Sequence, residues 1–181
     1  GMPRTQNING SNCEGAGVYR INTSGGRRMH SARAFLKPAL KRANVTLMTG
    51  VRAEQIIFEG TRAVAVQVVR DGNTQTLRAG REIIVSSGAI SSPRLLQLSG
   101  IGPAELLKSH GITPLQDAPH VGGNLQDHLG INYYFRATEP TLNNVLRPFT
   151  GKVRAALQYA LTRRGPLALS VNQCGGYFRS S

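Results

Sequence analysis

The 181-residue chain has no tryptophan, only 6% aromatic residues, two cysteines, and nine acids against 22 lysines and arginines. Each shortage excludes something. Cys13 and Cys174 lie far apart and in no metal-ligand spacing, so no metal site is expected and the pair reads as free thiols of a reducing compartment. No apolar run approaches the ~18–20 residues that span a bilayer, and no apolar stretch follows Arg4 to make a secretory leader. The chain is therefore expected in the cytoplasm, with membrane-surface association of a longer parent protein left open. No two carboxylates stand out as an acid/base couple, and no serine sits in a GxSxG elbow.

The shortage of acids leaves a formal charge of +13, which raises the question of a polyanionic partner. The basic residues are diffuse. No run exceeds two, as in Arg27-Arg28, Lys41-Arg42 and Arg163-Arg164, and none is interleaved with aromatics as in single-strand binders. Arg33, Lys37 and Lys41 recur at four-residue spacing on one face of an expected helix and read as a solvated face. No specific nucleic acid partner is expected.

What is present is a foldable mixture. Hydrophobic residues make up 40% of the chain and are spread along its length, among 21 glycines and nine prolines. That excludes a collagen repeat or a polar low-complexity tract, and the length suits one or two domains. Residues 1–26 show no period and read as extended loop. From Ser31, an available N-cap, Ala32, Phe35, Leu36, Ala39, Leu40 and Ala43 follow helical spacing. Pro38 should end or kink that helix.

Apolar and β-branched stretches at 45–48, 51–59, 63–70 and 75–79 follow. Turns at Gly60-Thr61 and Asp71-Gly72-Asn73 make the last three an antiparallel meander. Residues 81–89, REIIVSSGA, read as a strand covered on both faces, and Ser92-Pro93 as the start of the next helix. A buried strand delivering small residues to a helix N-terminus is either an ordinary turn or a ligand-binding one. A short helix over 103–110 closed by Gly111, a turn at 121–124 and a helix over 151–163 are also expected. Ile131, Tyr133 and Phe135 alternate as a half-exposed strand, and this change of character near Gly130 marks a domain boundary.

Residues 88–102, GAISSPRLLQLSGIG, resemble the second signature of the glucose-methanol-choline (GMC) family of flavin-dependent alcohol oxidoreductases. The match holds at Gly88, Ala89, Ser92, Pro93, Leu95, Leu96, Ser99, Gly100, Ile101 and Gly102. Similar stretches stand in the family's order at 26–40 (GRRMHSARAFLKPAL), 44–58 (NVTLMTGVRAEQIIF) and 121–129 (VGGNLQDHL), nearest to the choline-dehydrogenase-like branch. The resemblance implies an α/β chain with an α+β part. Residues 1–129 would be a partial Rossmann-like FAD-binding domain carrying the meander, and 130–181 the beginning of an antiparallel-sheet substrate domain. It implies FAD as cofactor, a small-molecule alcohol as substrate, hydride transfer to the flavin N5, and oxygen or a quinone as electron acceptor. By matching positions, the backbone of Ala53 would meet the adenine, and Gly88 with Ala89 would allow close approach to the cofactor.

The chain also departs from the family pattern. Its only candidate for the GxGxxG fingerprint, Gly15-Ala16-Gly17, continues as Val18-Tyr19-Arg20 and follows loop. The first βαβ unit and the segment with the catalytic histidine are missing from the reading, which makes the chain an internal fragment, inactive alone. Among His30, His110, His120 and His128, only His128 adjoins a carboxylate, Asp127; adjacent residues rarely point into one site, and it reads as structural. No catalytic residue is assigned. Tyr133, Tyr134 and Phe135 read as second-domain core, the alternative being residues that face the substrate cavity. The rival reading is a basic polyanion-binding module on a flavoprotein-like core.

Overall fold

A computed structural model describes residues 3–11, 13–170 and 172–179. It is an α/β chain with small antiparallel sheets, and its internal contacts divide it into two units, Leu47–Asn132 and Gly1–Thr46 with Tyr133–Ser181.

The first unit is built on the expected meander. Strands β4 (Val51–Glu59), β5 (Arg62–Arg70) and β6 (Asn73–Arg78) pair antiparallel in that order. Asp71 and Gly72 both take positive φ (50° and 77°) between the paired Arg70 and Asn73, the backbone of a type I′ turn whose twist suits a hairpin. Ile56, Ala65 and Val68 are buried, while β6 is exposed throughout. Helix α2 (Gly88–Leu98) packs on β4. Because β4 is an edge strand, its Ile56 N–H lacks a ladder partner, and the buried Ser99 Oγ accepts it at 2.8 Å while donating to Leu95 O at 2.6 Å. Two short parallel strands, β7 (Ile101–Gly102) and β8 (Gln116–Asp117), flank α3 (Ala104–Ser109), whose Leu107 is fully buried. Glu105 accepts a hydrogen bond from Lys108 at 2.8 Å and holds that ammonium above its ordinary pKa.

In the second unit, β1 (Gly15–Val18) pairs antiparallel with β9 (Cys174–Tyr177), and β2 (Thr23–Ser24) with β3 (Arg27–Arg28). The loop expected over residues 1–26 thus contains strands, which come from pairing rather than from hydrophobic period; Gly1, Met2 and Asn12 lie outside the described residues. Residues Ala32–Leu36 form a π-helical turn continuing into α1 (Lys37–Ala39). The Lys37 N–H reaches back to Ala32 O just before Pro38, which has no N–H to continue the ladder. Ser31 is itself helical and makes no side-chain cap. The helix ends at Ala39, so Lys41 lies beyond it and the three expected basic residues do not form one helical stripe. Helices α4 (Leu142–Leu146) and α5 (Phe149–Thr162) follow; Asn144 Oδ1 accepts the Thr141 N–H at 2.8 Å ahead of α4.

Three expected strands do not form. Residues 45–48 and 81–87 have no ladder, and Ile84 is 78% exposed. A strand buried on both faces needs partners for its N–H and C=O groups, and the described residues supply none. Residues 130–136 are likewise unpaired; Tyr133, Tyr134 and Phe135 are exposed rather than core. Among the described residues, no helix is long and apolar enough to cross a membrane.

Candidate functional site

The signature segment shapes the site. Helix α2 starts at Gly88, five residues before Pro93, so Ser92 is not its cap. Instead Ser92 Oγ accepts the N–H of Ser87, the residue preceding the helix, at 2.9 Å. This tie holds the entry to the helix, where Gly88 adopts φ +86°, a conformation costly for any residue with a Cβ. A Cβ built on Gly88 would meet nothing within 4 Å. The glycine is therefore demanded by the turn, and the backbone there stays open to an approaching molecule.

Beside it lies a cleft of about 490 Å³. Ala89, Ile90, Pro93, Arg94 and Gln97 of α2 form one wall and residues 122–126 the other. Gln97 Nε2 donates to Val121 O at 3.0 Å and fastens the two walls together. Arg94 is the one charged residue lining the cleft, which is otherwise small, amide or apolar. Such a lining offers backbone amides, carboxamides and one cation, a donor set suited to an anionic group rather than to a metal. Among the described residues no cluster of His, Cys, Asp or Glu could hold a metal ion.

Of the expected cofactor residues, Ala89 lines the cleft and Gly88 precedes it at the helix start. Ala53 is exposed on β4, paired with Val68 beside an irregularity that skips Glu54 in the register. It does not line the cleft. As an edge strand, β4 turns alternate backbone N–H and C=O groups away from β5, which is the chemistry that reading an adenine edge through the main chain requires. Gly15-Ala16-Gly17 forms strand β1, paired with β9, and is no phosphate loop.

The histidines do not gather. His30, His110, His120 and His128 are all exposed and none lines the cleft. The Asp127 carboxylate accepts the backbone N–H of His128 at 2.7 Å. Cys13 and Cys174 are free and exposed. Arg94, Gln97 and Gly122 were not singled out by sequence reasoning. The available signal was helical spacing, since Pro93, Arg94 and Gln97 fall within one turn of α2 and share a side of it.

A family model described as GMC oxidoreductase matches residues 1–130. An oxygen-dependent choline dehydrogenase of Brucella ovis is 42% identical over 181 residues, which cover 99% of this chain and 33% of that protein. Among solved structures, a formate oxidase variant from Aspergillus oryzae aligns with a TM-score of 0.84 at 30% identity, over 96% of this chain and 30% of its own. An FAD-dependent oxidoreductase from Chaetomium thermophilum aligns with a TM-score of 0.82 at 25% identity, over 96% and 32% respectively. The chain spans about a third of the length of the curated relatives it matches.

Proposed function

The chain belongs to the GMC oxidoreductase family, and from that premise we propose that it is part of an FAD-dependent enzyme oxidising the CH–OH group of a small alcohol. The observation that carries the proposal is the signature segment as folded: an open, positive-φ glycine at the start of α2, beside a cleft of small, amide and apolar residues with one arginine. The chemistry FAD supplies when bound is acceptance of a hydride from the alcohol carbon at N5.

In this reading Gly88 and Ala89 let the main chain come close to the cofactor, because neither carries a side chain that would hold it off. Ala53 offers backbone groups of an edge strand to the adenine. Residues 1–129 contribute to the FAD-binding domain and 130–181 to the substrate domain. The end of the family match at residue 130 supports that division. A primary alcohol of the choline class as substrate and oxygen as electron acceptor are the choices favoured by the relatives' described activity. A cytoplasmic enzyme agrees with two free thiols.

Expression of the whole open reading frame that encodes the chain tests the proposal. A yellow protein with stoichiometric FAD, bleached anaerobically by choline or another primary alcohol, is the expected result. A colourless protein that takes up no flavin overturns it. The 181-residue chain assayed alone should turn over no alcohol.

A further inference from the structure

Three features meet at Gln97. Its Nε2 donates to Val121 O at 3.0 Å across 24 residues of sequence. A Cβ on Gly122, whose φ is +84°, would stand 2.8 Å from that same nitrogen. A Cβ on Gly102 would stand 2.9 Å from Gln97 Cγ. The Gln97 side chain thus runs close past two glycines, and among the described residues its carboxamide makes the one side-chain hydrogen bond from α2 to the 121–124 turn.

We propose that Gln97 is a positioning residue that clamps the 121–124 turn to α2 and so fixes the width of the cleft. The inference rests on the flavin-binding reading for its function, and on geometry alone for the clamp. Glycine at 122 serves two ends at once: it takes the left-handed conformation, and it clears the space in which the carboxamide reaches the carbonyl behind it. Ile90 and Arg94 then face the turn across a gap set by the bond from the Gln97 side chain to the main chain of Val121. Removing the donor leaves the walls in place but unfastened.

Hydrogen exchange and flavin affinity, measured on the same whole enzyme with and without FAD, test this. In Gln97→Leu the side chain keeps its bulk and loses the donor. The expected result is faster exchange at the Val121 and Gly123 amides, which close the turn onto Ala118 O and His120 O, with exchange in β4 and β5 unchanged. The FAD dissociation constant should rise about five- to tenfold, the equivalent of one hydrogen bond. Gly122→Ala should produce the same pair of effects, and combining it with Gln97→Ala should cost less than the sum of the two, since the smaller side chain removes the collision. Unchanged exchange at 121 and 123 in Gln97→Leu overturns the clamp. Faster exchange with unaltered FAD affinity overturns the positioning role while leaving the flavin reading intact. If the unmodified enzyme binds no FAD, the flavin reading fails and the exchange measurement still decides the clamp.

Discussion

At the scale of single residues, Ser99 shows how little a motif's residue types reveal about their purpose. It belongs to the family signature, yet the residue is only 6% exposed and its hydroxyl is spent on structure, closing the edge of β4 and the last turn of α2. Ser99→Ala would leave the buried N–H of Ile56 without an acceptor. A loss of about 1–3 kcal/mol is expected, read from urea unfolding of the chain, while Ser99→Thr should retain most of it because the oxygen stays. An unchanged midpoint in the alanine variant would mean that water replaces the hydroxyl.

The same scale shows where the sequence was legible. That a glycine must stand at position 88 has a backbone reason in its φ of +86° at the start of α2. Gln97 was invisible, because nothing in its local sequence says that a carbonyl 24 residues later will lie opposite it. Local geometry can be inferred from residue type; a partner across a loop cannot.

Elements were legible in proportion to how far they stabilise themselves. The β4, β5 and β6 meander matches the expected ranges to within a residue or two, since the hairpin turns set the register locally. Helix α5 likewise matches, starting just after Pro148 and closing where Arg163 turns to φ +57°. The strand expected over 81–89 fails because its ladder depends on neighbours remote in sequence. Helix α3 lies between these cases. Pro103 precedes it and offers no capping side chain, so Asp117 Oδ1 from β8 takes the Ala104 N–H at 3.0 Å. Asp117→Ala should therefore destabilise the first unit by about 0.5–2 kcal/mol, and Asp117→Asn should retain most of that because Asn also caps. Thermal melts followed by circular dichroism would compare the two; equal melts for all three proteins would show that the cap contributes nothing.

For the whole molecule, the balance of surface and core is telling. Large apolar side chains including Leu129, Tyr134, Phe135 and Leu161 are more than four-fifths exposed, while the buried apolar residues of the described chain are few and small clusters. Exposure of so many large apolar side chains is in keeping with a chain that spans a third of its relatives' length. The +13 charge belongs to the same picture: spread over both units, it should give only salt-sensitive attraction to polyanions. Retention of the chain on duplex DNA at low ionic strength should vanish by physiological salt. Binding that survived it would revive a specific nucleic acid role.

The sequence by itself determined the family, through a fifteen-residue signature, and the elements whose turns and periodicity are contained within a few residues of each other. Only the tertiary structure decided where α2 begins, which wall faces it, and that residues 81–87 and 130–136 carry no ladder. The division follows from the range of the forces. Backbone conformation and hydrogen bonds inside a turn are fixed by adjacent residues, whereas a cleft or a buried strand exists only when groups distant along the chain are brought within about 3 Å of one another.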